Sequence, residues 1–286
     1  MSEVGVQWIG LVILVLGIGL GEVLLQRRMP MSGAARQGRL LALMAGVGGL
    51  VGATAWVQNL PFAFAWALPP MAARFLAVAA VAFGLVALRA AWIGSVGHLR
   101  LVAMMLLVYL APLAGAVVLL HLDRFSPTSP VTYAFFTIVV GMVIAALLAM
   151  IRLPFDERGL SAGGLGLVGA VAGLWGMVLF VWPAGPWPLI WPWPQDPLTT
   201  RLIAAMFLTI AAACHFAEGR EERRTAYILC FVYGSGIALV VSLALLTGKP
   251  GPWAYLIVWS LVALVAGQGL LRERAVSPAH AASHPD

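Results

Sequence analysis

The sequence predicts an all-α integral membrane protein: nine transmembrane helices, one leading helix plus two parallel four-helix repeats. Three observations carry that expectation. Hydrophobic residues make up 62% of the 286 positions and charged residues 10%, against about 25% charge in a soluble domain. So few charges do not cover a water-facing surface, and a disordered chain needs the opposite balance. The apolar residues fall into runs of roughly 20, the length that crosses about 30 Å of hydrocarbon as a helix. Scarce residues recur at a fixed offset along the chain.

The first run lies near Val4–Leu25. Ser2 and Glu3 precede it, and Arg27 and Arg28 follow. A cleavable signal has a basic start and a small-residue cleavage site, so residues 1–25 are expected to form a retained N-terminal anchor helix. Eight further runs lie near Leu40–Val57, Pro70–Leu88, Leu101–Leu120, Val131–Ile151, Gly163–Val181, Thr199–Phe216, Ala226–Leu246 and Trp253–Leu271. Helices are expected because lipid offers no partners to a free backbone. A barrel needs alternating segments of about ten residues, and none is present. The tail, residues 275–286, is small and polar, contains Pro278, His280 and His284, and is expected to be a disordered cytoplasmic segment.

The connections test this reading. Arg27, Arg28, Arg36, Arg39, Arg89, Arg100, Arg152, Arg158, Arg220, Arg223, Arg224, Arg272 and Arg274 fall on one side. Arg74, Arg124, Arg201 and Lys249 fall on the other. Excess Lys and Arg marks the cytoplasmic face. The expectation is a membrane protein with its N-terminus outside, its C-terminus inside and an odd number of spans. The net charge of +6 is read as membrane asymmetry rather than nucleic-acid binding.

The outer side is expected to carry two segments rich in Trp, Phe and Pro, Gln58–Pro70 and Pro183–Pro197. Proline stops a helix and Trp favours the headgroup level. Either an aromatic belt with turn prolines or a gate fits that composition.

A shift of 127 positions brings Pro61 onto Pro188, Trp66 onto Trp193, Pro70 onto Pro197 and Arg74 onto Arg201, with Gly46 onto Gly173 and Gly49 onto Gly176. With small deletions, Arg100 meets Arg224, Tyr109 meets Tyr233, Pro130 meets Pro252 and Tyr133 meets Tyr255. Two units follow, 40–152 and 163–272. Each holds an even number of spans, so both point the same way, unlike the inverted repeats of many transporters.

The segment 191–201, WPWPQDPLTTR, resembles a group of uncharacterised bacterial multipass membrane proteins that carry W-P-W-P-x-x-P-L-x-x-R ahead of a transmembrane helix. The resemblance implies a bacterial membrane protein and no particular activity.

Few residues are candidates for chemistry. Arg74 and Arg201 each follow a Pro-Met or Pro-Leu helix opening, where the helix dipole does not favour a cation. With Trp66 and Trp193 they are candidates to hold an anion or a lipid headgroup, since a guanidinium suits phosphate. The alternative is snorkelling to headgroups or local pairing, as of Arg201 with Asp196. His215, beside Cys214 late in the seventh run, is a candidate tetrapyrrole ligand or proton relay, or a hydrogen-bonded interfacial histidine. Glu22 is a candidate proton or cation site, or a partner for Arg27 or Arg28. His98 is expected in an inner loop and His121 at the outer end of the fourth run. Asp156, Glu157 and Arg158 read as a solvated inner turn. Cys214 and Cys230 read as small core residues.

The sequence holds no G-x-x-x-x-G-K-[S/T], H-E-x-x-H, C-x-x-C or G-x-S-x-G. The only lysine, Lys249, falls in a loop, which excludes a retinal-type Schiff base. No catalytic residue, metal site or cofactor is therefore predicted. Three functions are weighed: a non-catalytic subunit or scaffold of a membrane assembly, a transporter or flippase for an amphipathic or lipid-like anion through the cleft between repeats, and a cofactor-binding protein using His215.

Overall fold

The computed structural model describes residues 3–60, 63–64, 66, 68–154, 164–183, 196–249 and 253–275. Among them the chain is helical, with no strand. The elements are α1 (Glu3–Arg28), α2 (Gly33–Val57), α3 (Pro70–Ile93), α4 (Val96–Leu120), a 3-10 turn (Leu122–Arg124), α5 (Pro130–Arg152), α6 (Gly164–Val181), α7 (Pro197–Phe216), α8 (Arg220–Leu246) and α9 (Trp253–Ala275). Eight of these are long and apolar enough to cross a membrane, and α6 contributes a shorter apolar stretch, Leu165–Val181. The architecture is that of an all-helical, multipass membrane protein.

The helices reach further than the apolar runs do. α2 starts seven residues before Leu40, α3 ends at Ile93, and α8 starts at Arg220. Most of the arginines expected in loops therefore sit on helix ends. Hydropathy stops at the first charge, but a helix does not: arginine is a good helix former. The turn between α3 and α4 is one such place. Gly94 takes φ +68° at the end of α3, a left-handed cap that costs glycine little. Ser95 then caps α4 by accepting from the His98 amide. His98 is consequently on the first turn of α4 and buried, not in a loop.

Four helices form the centre. α3 packs on α8 and α4 on α7. The others lie outside them: α2 on α3, α5 on α4, α6 on α7, α9 on α8, with α1 against α2. Burial follows this order, with 78% of the α7 window buried and 11% of the α1 window. The middle is filled by large side chains with almost no exposure, Phe75, Met105, Phe207 and Tyr233. Outer pairs approach closely where glycine permits. A Cβ on Gly49 of α2 would stand 2.9 Å from the Ala80 carbonyl of α3, and one on Gly176 of α6 would stand 3.0 Å from the Ala204 carbonyl of α7. Small residues of this kind let helices meet without large side chains between them.

Candidate functional site

Polar groups gather at the two ends of the bundle. At one end most are arginines paired with carboxylates; at the other, aromatic side chains surround a smaller polar group.

At the basic end, Glu22 of α1 is 8% exposed. It accepts from Arg36 Nε at 2.8 Å and from Arg39 Nε at 3.2 Å. Arg39 is fully buried and also donates to the Met29 carbonyl at 2.8 Å and to Gln26. Arg27 and Arg28 are not the partners of Glu22. Five and six positions on, they lie off the face that i+3 and i+4 residues share, whereas α2 folds back and brings Arg36 and Arg39 to it. Arg28 instead lies over the Trp92 ring, 3.9 Å from its centroid.

The same end joins the central helices. Arg89 of α3 pairs with Glu221 and donates to Thr225 Oγ1 of α8 at 3.2 Å. His98 of α4 places Nδ1 at 2.6 Å from Ser95 Oγ and 3.5 Å from Glu222 Oε1 of α8. Its Nε2 is buried with no hydrogen-bond partner among the described residues. Arg100 donates to the Met150 and Leu153 carbonyls that end α5. Ser95, Arg100, Glu218 and Glu222 line a cavity of about 370 Å³ there. The pair His98–Glu222 has the chemistry to exchange a proton, and nothing in the sequence pattern signalled it.

At the aromatic end, Trp66 is 7% exposed. It packs edge-on to Phe64, Phe125 and Phe135, with ring centroids 4.4, 5.4 and 5.7 Å away. Its Nε1–H donates to Thr199 Oγ1 of α7 at 3.2 Å. Trp66 is thus core rather than an interfacial anchor. The Thr199 amide donates to Asp196, the N-cap of α7, at 3.2 Å, and Thr199 Oγ1 donates to the same carboxylate. Asp196 pairs with Arg124 at 3.2 Å, not with Arg201. Arg201 instead donates from Nε to the Phe180 carbonyl of α6 at 3.1 Å and from Nη1 to His121 Nε2 at 2.5 Å. Because a guanidinium only donates, His121 is here neutral at Nε2. Burial, and then the charge of Arg201, hold its pKa below the usual histidine value.

The predicted site residues therefore separate. Trp66 joins Thr199 and, through it, Asp196 and Arg124, whereas Arg201 of the same helix joins Phe180 and His121. Arg74 is exposed and makes no hydrogen bond with a described residue. Trp193, Gln195, the segment 184–195, Asp156, Glu157, Arg158 and the histidines of the tail lie outside the described residues. His215 is half-buried and places Nδ1 at 2.9 Å from the Ala211 carbonyl of its own helix. A Cβ on Gly169 of α6 would stand 2.6 Å from the same nitrogen, so α6 occupies that side of the ring. Among the described residues no group of three or more His, Cys, Asp or Glu forms a metal-binding cluster. Cys214 and Cys230 are buried thiols with sulfurs 3.6 Å apart.

Compared with known proteins, the chain matches no protein family, no curated protein and no solved structure.

Proposed function

We propose that this protein is a non-catalytic subunit or scaffold of a bacterial inner-membrane assembly. Its nine helices all cross, with the basic end cytoplasmic and the N-terminus outside, in keeping with the arginine excess there. α6, at about 27 Å for 18 residues, is the shortest and spans a core of about 30 Å only with help from its flanks. After α1, the helices fall into two four-helix units related by a two-fold axis along the membrane normal. The packing supports this. Exchanging the units carries α2 on α3 into α6 on α7, α4 on α5 into α8 on α9, and α3 on α8 into α7 on α4. Gly49 and Gly176, matched by the repeat, serve the same close approach in each unit.

The observation that carries the scaffold reading is the filled seam between the units. Phe75, Met105, Phe207 and Tyr233 are each at most 1% exposed where a carrier would need a path. Purification in mild detergent or native lipid tests it. A partner that stays in fixed stoichiometry through two columns is expected. A lone protein from the native membrane, unchanged in size after extraction, overturns it.

A carrier for a lipid-like anion keeps one specific support: among the described residues Arg201 pairs with no carboxylate and rests on the Phe180 carbonyl and His121. Unchanged lipid uptake in an Arg74→Ala/Arg201→Ala double variant rejects that reading.

A further inference from the structure

The groove between α6 and α9 is an apolar recess of about 480 Å³. Its two helices are each fastened elsewhere, α6 to α7 and α9 to α8, and scarcely touch one another. Phe207, Tyr255 and Trp259 make its floor and are at most 5% exposed. Phe207 and Trp259 stack at 5.3 Å, and Trp175 Nε1–H donates to the Tyr255 hydroxyl at 3.1 Å. The floor is therefore held rigid, and the Trp175 indole N–H is satisfied by the Tyr255 hydroxyl. The rim is open: Val171 is 52% and Val258 44% exposed. All lining side chains are apolar or aromatic. At membrane depth such a recess opens on hydrocarbon, which has no water to fill it.

The groove also has a polarity along its length. On α6 its lining ends at Val178, and two residues on, the Phe180 carbonyl holds the Arg201 guanidinium. Lys249, exposed, precedes α9 at the same end. An apolar slot with cations at one end complements an amphiphile with a negative head. The geometry points to a binding site for one acyl chain of an anionic phospholipid, lying between α6 and α9 with its phosphate toward Arg201 and Lys249. Arginine presents a fork of donors suited to phosphate. The site does not depend on the scaffold reading, since a subunit and a carrier hold such a lipid equally well.

The test is native mass spectrometry of the full chain, purified in mild detergent with an equimolar mixture of phosphatidylglycerol and phosphatidylcholine. One retained phospholipid per protein is expected, with phosphatidylglycerol favoured about tenfold, the ratio that 1.4 kcal/mol sets. Val258→Trp, which puts an indole in the mouth, loses the lipid; Leu264→Trp, exposed on another face of α9, keeps it. Arg201→Gln keeps a lipid but brings the two headgroups to similar occupancy. Should Val258→Trp fail to elute as folded protein, Val171→Phe on the facing wall takes its place. The proposal is overturned by wild-type protein that retains no lipid, by equal retention in the groove-filled variant, or by loss in Leu264→Trp as well, which is the behaviour of unspecific surrounding lipid. An unchanged headgroup preference in Arg201→Gln overturns the anionic assignment.

Discussion

At the basic end a carboxylate that is 8% exposed, Glu22, rests between two guanidiniums, one of them fully buried. At the aromatic end the tie between α7 and its surroundings runs through an indole, a hydroxyl and an imidazole, with Trp66 buried among three phenyl rings. At the first end the buried Glu22–Arg39 pair tolerates single deletion poorly, because the remaining buried charge loses its buried partner. The second is stabilised mostly by apolar area, to which each polar contact adds a modest amount. Deletions of the same nominal size therefore have unequal effects at the two ends.

Arg39→Ala breaks this comparison most directly. It removes the buried guanidinium that joins Glu22, Gln26 and the Met29 carbonyl and leaves Glu22 with Arg36, whose side chain is 50% exposed. A loss of about 3–5 kcal/mol is expected, as for other buried pairs broken on one side. Unfolding in mixed micelles of increasing SDS fraction measures it. Glu22→Leu/Arg39→Met, which removes both charges, should recover at least half of that loss. If Arg39→Ala costs no more than Trp66→Phe at the aromatic end, the contrast between the ends is wrong.

Trp66→Phe sharpens the other side. It keeps the ring contacts and deletes the bond to Thr199, so a loss of about 1 kcal/mol is expected in the same assay. A loss as large as that of Arg39→Ala shows that the hydrogen bond, not the area, holds this end. Arg89→Ala is expected to cost less than about 1 kcal/mol, because its side chain is 24% and that of Glu221 47% exposed. Glu221 also keeps Arg224, 3.8 Å away.

What the sequence made legible divides along the same line. Runs of apolar residues are local, and each α-helix among the described residues overlaps one of them, with ends that differ by up to two turns. Arg201 and Trp66 were recognisable because arginine and tryptophan are rare beside proline helix starts. The partners were not recognisable. Glu22 and Arg39 are 17 positions apart, and Trp66 and Thr199 are 133 apart, so no periodicity connects them. Hydropathy predicts a loop at His98, because the apolar run begins only after Arg100. Only the Gly94-Ser95 turn, with its left-handed glycine and serine cap, puts it on α4. The composition of 58–70 fits a belt or a gate, and does not reveal that Trp66 packs inward against Phe64, Phe125 and Phe135.

The smallest effect is the dependence on pH at the aromatic end. His121 lies beyond the end of α4, outside the apolar spans. It accepts from Arg201, while Asp196, Asp123 and Arg124 also act on it. A free histidine titrates near 6.5, and burial with Arg201 lowers that value in the folded protein. Protonation is thus easier in the unfolded chain. The contact with Arg201 contributes fully above the free value, and the contribution is lost as the pH falls through the lowered one. Solvent screens the pair, which keeps the effect below about 1 kcal/mol. Melting temperature in detergent should fall by roughly 2–4 °C per kcal/mol for a chain of this size as buffers step from pH 7 to about 5. In His121→Gln, whose amide oxygen still accepts from Arg201 but takes up no proton, that component of the slope should vanish. An identical slope in the variant assigns the pH response to groups other than His121, and the imidazole at the aromatic end is then only a packing group.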